Sequence, residues 1–138
     1  MEQRDYLLNE IEKIGLLLRM IFNKLAGREE TYSLSLEGQT KEVKEILLHE
    51  IGFDIDLFLS LGETEIEPYI SKFKGFNGLN IELLTDIINE IGMRTESAQK
   101  NIYLEQALIM YHLCNSLDKT FSLERESKIS EINRVLLS

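Results

Sequence analysis

The sequence predicts an all-α protein: antiparallel helical hairpins stacked in a short array, with a long N-terminal helix before them and a capping helix after. Three observations carry this reading. Apolar residues recur three and four positions apart through most of the chain, the spacing of one helix face. A segment occurs twice, forty positions apart, as Leu47-Leu48-His49-Glu50-Ile51-Gly52-Phe53 and Ile87-Ile88-Asn89-Glu90-Ile91-Gly92-Met93. Gly27, Gly52, Gly62, Gly75 and Gly78 fall between periodic stretches, and neither glycine nor proline occurs after Gly92. A recurrence near this period is the mark of stacked helical pairs, which mostly hold other molecules rather than do chemistry.

The first helix is expected over residues 3–26, ending at Gly27. Leu7, Ile11, Ile14, Leu18, Ile21 and Leu25 alternate four and three apart, a heptad seam. Leu8, Leu17, Met20 and Phe22 widen it, so the face packs on its own domain or, in part, forms a homodimer. Tyr32-Ser33-Leu34-Ser35-Leu36 alternates apolar and polar and reads as extended chain lying on helices.

A helix from about Thr40 to Ile51 buries Val43, Ile46, Leu47 and Ile51, and Gly52 suits the left-handed position that closes it. Asp54 caps a short helix carrying Ile55, Leu57, Phe58 and Leu61, stopped by Gly62. Pro68 fits the first turn of another helix, where its missing N–H is not needed. Tyr69, Ile70, Phe73 and Phe76 supply that helix's apolar surface, and Gly75 and Gly78 end it. Asn80 is expected to cap the next helix, with Leu79 and Leu84 as a hydrophobic staple. Leu83, Leu84, Ile87, Ile88 and Ile91 would be buried there, and Gly92 would end it. Thr95 or Ser97 opens a long helix to about Leu117, Asp118–Phe121 turns, and Ser122 caps the last helix, whose inner side is Ile129, Ile132, Val135 and Leu136.

Ala107, Tyr111, Cys114, Leu117 and Asp118 follow the order small, aromatic, small, leucine, aspartate. This resembles the second helix of a tetratricopeptide repeat, where small residues let paired helices approach and the aromatic fills the space beside them. Lys119 stands where such repeats usually have proline. Tyr69, Phe73, Phe76, Leu79 and Asn80 repeat the spacing with large aromatics in the small positions. The resemblance implies a short tetratricopeptide-like array within one helical domain over 1–138. Its pairs fall at about 40–76 and 80–117, with the helix 122–137 as cap. The connector at 52–66 is far longer than the tight turn of that family, and the glycine usual in the first helix is replaced by Leu48 and Ile88 on the apolar side. The tail Asp118–Glu126 also looks like that of small bacterial helical proteins without an established activity.

Composition narrows the function. The chain has 138 residues, 43% of them hydrophobic, and a formal charge of −9. That length supports one real core, and that charge repels phosphate backbones, so no nucleic-acid partner is expected. The apolar run Leu16–Phe22 is interrupted by Arg19 and is far short of a membrane span, so no membrane partner is expected. Cys114 is the only cysteine and the start lacks the basic region of a secretory signal, so the expected location is the cytoplasm.

Motifs for chemistry are sparse. His49 and His112 are the only histidines, and His49 lacks the HExxH spacing of a zinc site. His112 and Cys114 are two apart, on opposite sides of a helix, and do not pair by themselves. Glu63, Glu65 and Glu67 lack the ladder and glycine of a calcium loop. No cofactor is expected. The leading expectation is a non-catalytic protein-interaction module whose inner-helix groove includes Lys44, Glu45, His49 and Asn89. A protein or peptide partner, basic or apolar, suits the charge. The alternatives are a small metal-assisted enzyme with its site near His49 and Glu50, and an acidic decoy of a basic nucleic-acid-binding protein.

Overall fold

The computed structural model describes residues 2–27 and 35–138, and of Glu2 and Gln3 only the backbone. Within them the protein is all-helical, with seven helices and no strand: α1 (Glu2–Leu25), α2 (Leu36–Glu50), α3 (Ile55–Ser60), α4 (Glu63–Ile70), α5 (Gly78–Arg94), α6 (Gln99–Asp118) and α7 (Leu123–Leu137). The alternating segment expected at Tyr32–Leu36 lies outside the described residues as far as Leu34. Of its last two members, Ser35 is extended and caps α2 through a hydrogen bond from the Gly38 N–H (3.1 Å), whereas Leu36 is already the first helical residue.

Helix α5 is the centre of the molecule. It lies against α6 along most of its length and against α1 on another side, while α7 packs on α6. Leu84, Ile87, Ile88 and Ile91 are wholly or almost wholly buried, as a helix covered on several faces requires. From α1 the seam residues Ile14, Leu18, Ile21 and Leu25 are buried, while Leu7 is partly exposed. Among the described residues no helix is long and apolar enough to cross a membrane.

The two glycines of the recurring segment have different roles. Gly52 is left-handed (φ +85°) and closes α2, its N–H donating to the Leu47 carbonyl at 3.0 Å. Gly92 does not end a helix, because α5 continues to Arg94. A Cβ on Gly92 would stand 2.8 Å from Tyr103 Cβ and 2.9 Å from Leu104 Cδ2, so the missing side chain is what lets α5 and α6 close together. The neighbours differ too: Ile88 is buried, whereas Leu48 is 54% exposed rather than on the apolar side.

The expected second helix of the first pair is short. Helix α4 starts at Glu63, where the Glu65 carboxylate accepts from the Gly62 N–H (2.8 Å), and stops at Ile70. Pro68 is therefore near its end, not in its first turn. Residues 71–76 form tight turns, with Phe73 N–H donating to the Ile70 carbonyl and Phe76 N–H to that of Phe73. Tyr69, Phe73, Phe76, Leu79 and Asn80 thus do not share one helix. The aromatic residues instead gather around buried Phe53, whose ring lies 5.5–6.0 Å from those of Phe58, Tyr69, Phe73 and Phe76.

The cap of α5 is Asn77, whose Oδ1 accepts from the Asn80 N–H (2.9 Å). Asn80 is buried in the first turn instead of capping it, and Leu79 is exposed rather than stapling. The Asn80 amide donates to the carbonyls of Ile11 (2.9 Å) and Gly75 (2.8 Å), joining α1, the 71–76 turn and α5. Asp54 and Ser122 cap α3 and α7 as their sequence positions suggest. Helix α6 begins after Ser97 and ends at Lys119, a left-handed residue (φ 60°).

Candidate functional site

At one end of α5 and α6 lies an open groove of about 320 Å³. Ile70, Phe73 and Phe76 form one wall, Ile81 stands at its base, and Leu113 and Leu117 form the other wall. Glu67, Ser71 and Lys74 also line it. The local sequence explains the opening. Gly75 and Gly78 disfavour helix beyond α4, the chain after Ile70 runs in turns, and Phe73 and Phe76 do not pack along one continuous helix. Leu117, at the end of α6, remains 53% exposed.

Beside the groove, on neighbouring positions of the same two helices, is a buried polar latch. The Arg125 side chain is 4% exposed. Its Nη2 lies 2.7 Å from Glu82 Oε1 and 3.2 Å from Asp118 Oδ2, its Nε 3.3 Å from Glu82 Oε2, and its Nη1 2.9 Å from Asn115 Oδ1. The forked guanidinium suits such pairing, and Glu82 holds Arg125 above its ordinary pKa. One turn along α5, Asp86 accepts from the Tyr111 hydroxyl and from Lys128 Nζ (2.9 Å). Burial raises the Asp86 pKa, and its hydrogen bonds from Tyr111 and Lys128 only partly offset this. Burial, with the Asp86 charge beside it, also raises that of Tyr111. Burial pushes the Cys114 thiol up to about 12, with Glu82 adding to it. Cys114 is therefore a packed core thiol, as its place among Ala107 and Tyr111 suggested.

The latch fixes the groove's far wall. Asn115 and Asp118 flank Leu117 in sequence, and both are held by Arg125 of α7. No sequence motif marked this arrangement. The available signal was the capping Ser122 followed three residues later by Arg125, which puts an arginine on the first turn of an otherwise ordinary amphipathic helix.

None of Lys44, Glu45, His49 and Asn89 lines the groove. Lys44 pairs with Asp56 (2.8 Å). Burial alone would lower its pKa, but Asp56 and Tyr103 outweigh burial and raise it. Glu45, His49 and Glu50 are exposed on α2. Asn89 is half-buried on α5, and its Oδ1 is buried without a hydrogen-bond partner among the described residues. His112 is exposed and Cys114 buried, so the helix separates them. Among the described residues no three His, Cys, Asp or Glu side chains gather closely enough to hold a metal ion. Comparisons of the chain with known protein families, curated proteins and solved structures find no match.

Proposed function

We propose that the protein is a non-catalytic, cytoplasmic interaction module that takes an apolar helical segment into the groove between the 71–76 turn and the end of α6. The observation that carries this reading is the groove's chemistry. Six apolar side chains line it, Ile70, Phe73, Phe76, Ile81, Leu113 and Leu117, together with Glu67, Ser71 and Lys74, so apolar and polar surface stand side by side as an amphipathic helix requires. Such a surface offers area and shape rather than acid–base chemistry. It matches the helix-in-groove mode, in which apolar side chains at i, i+3 and i+4 anchor a partner helix. The chain's −9 charge favours a segment that is not strongly acidic. The tetratricopeptide-like reading is retained for the α5–α6 pair followed by α7.

The test uses fluorescent amphipathic helical peptides with paired leucine anchors and either basic or acidic flanks. The basic-flanked peptide is expected to bind the native protein, the acidic one to bind weakly, and Leu117→Glu to abolish binding without loss of helicity. Equal binding by wild type and Leu117→Glu would overturn the proposal.

A further inference from the structure

We propose that the groove's occupant is the N-terminal arm of a second copy of this chain, exchanged two-fold so that Leu7 and Leu8 of each copy enter the groove of the other. This inference rests on reading the groove as a docking surface. Arg4 to Glu10 are exposed at seven successive positions of α1. Seven residues make almost two turns, about 10 Å of helix, and only Glu10, at the inner end, is placed against the 71–76 turn. The arm extends a helix already nucleated and packed further along, yet it carries Tyr6, Leu7 and Leu8 at the surface.

Arg4, Leu7, Leu8 and Ile11 stand at i, i+3, i+4 and i+7 and share one face. That face continues into the seam buried from Ile14 onward. The seam therefore overruns the edge of the molecule. The edge is the 71–76 turn, where a Cβ on Gly75 would run into the Ile14 and Glu10 side chains. The same turn supplies Phe73, Lys74 and Phe76 to the groove. Arm and groove thus sit on two sides of one turn, at one end of the chain.

The arm does not reach its own groove. Helix α1 is unbroken from Glu2 to Leu25, and Asn80 pins it at the Ile11 carbonyl, where the arm begins. A second copy related by a two-fold axis satisfies both arms and both grooves at once, a closed and self-complementary contact. Arg4 of the arm is opposite in sign to Glu67 of the groove lining, and Asp5 to Lys74, while Glu2 and Glu10 leave the arm net acidic, so the leucines carry the contact. The repulsion between two −9 chains is screened beyond about 8 Å at physiological salt, which leaves these short-range pairs to set the register.

Sedimentation velocity on the full chain over a wide concentration range tests the proposal. A reversible dimer is expected, weakened about tenfold or more by Leu8→Glu and by Leu117→Glu, and unchanged by Tyr6→Ala, which lies off the docking face. Arg4→Glu and Glu67→Arg should each weaken the dimer and, combined, restore it. Circular dichroism on each variant separates these effects from unfolding. A monomer at every concentration that still binds helical peptides through Leu117 overturns this inference and leaves the binding reading standing. A dimer indifferent to Leu117→Glu also overturns it, and identifies pairing of the α1 seams instead. Leu117→Glu without effect on either dimer or peptide would overturn both.

Discussion

Arg125 of α7 and Glu82 of α5 are 43 residues apart and meet through two hydrogen bonds of one guanidinium edge, at 2.7 and 3.3 Å. Because Arg125 is almost fully buried, removing its partner leaves a charge without compensation, which costs more than the pair itself contributes. Glu82→Ala is expected to destabilise by about 2 kcal/mol, Asp118 retaining part of the pairing. The double variant Glu82→Leu with Arg125→Met should recover most of that loss. Urea denaturation of the three proteins checks this, and a double variant no better than Glu82→Ala would contradict it.

Gly92 gives a sign test. By helix propensity alone, alanine in place of a mid-helix glycine stabilises by about 1 kcal/mol. Here the added Cβ meets Tyr103 and Leu104 within 3 Å, and overpacking costs about 1–3 kcal/mol. Gly92→Ala should therefore lower the melting temperature. Gly52→Ala should lower it too, but through backbone strain at φ +85°, with no neighbour within 4 Å of the new atom. Shortening Leu104 should then cost less in the Gly92→Ala background than in the Gly52→Ala background, because it relieves one of the two close contacts in the first and none in the second.

Asp86 makes stability depend on pH in an unusual direction for a carboxylate. Its folded pKa is raised, first by burial. Its contribution is therefore fully present below the unfolded aspartate value, about 3.9, and is lost as pH rises through the higher folded value. Asp86→Asn removes that titration. The stability of wild type relative to Asp86→Asn is expected to be greatest in acid and to shrink toward neutrality. Paired urea titrations across this range measure the difference, and a gap that widens with rising pH would refute it. Asp118 acts oppositely in both proteins: hydrogen bonds from Thr120 and Arg125 lower its pKa, so its contribution is lost on acidification.

Cys114 should be inert in the native state. With a pKa near 12, about one thiol in ten thousand is ionised at pH 8, and thiolate is the reactive form. Its side chain is also buried. Iodoacetamide labelling at pH 8 is expected to be slow in buffer and fast in urea, with the native rate rising in Glu82→Ala. Rapid native labelling would show that the end of α6 opens more readily than its packing implies.

Much of the architecture was legible because helix periodicity and caps are local. The seam of α1, the capping by Asp54 and Ser122 and the buried faces of α5 and α7 follow from spacing alone. What was not legible depends on distant partners. Asn80 has the residue type of a cap, but its amide is drawn to the Ile11 and Gly75 carbonyls, and Asn77 does the capping. Gly92 looks like a terminator by analogy with Gly52, yet its role is set by Tyr103 and Leu104. The groove arises because aromatic residues spaced for a helix are drawn to Phe53 in a stretch where Gly75 and Gly78 disfavour helix. Of the polar residues expected in a groove, Lys44 pairs with Asp56 across the fold, which its sequence neighbours do not reveal, whereas Asn89 keeps its Oδ1 buried and without a hydrogen-bond partner among the described residues.

The bonds from Asn80 to Ile11 and from Arg94 to the Leu25 carbonyl each span 69 residues of chain. The α5–α6 hairpin and the docking of α7 need only short loops to close. Contacts across long loops carry the greater closure entropy and form later. Helix α1 is thus secured late, since its partner helix α5 is made more than fifty residues after it. Until then its apolar seam faces water, and folding on the ribosome exposes for longest the same surface that the finished molecule leaves partly uncovered.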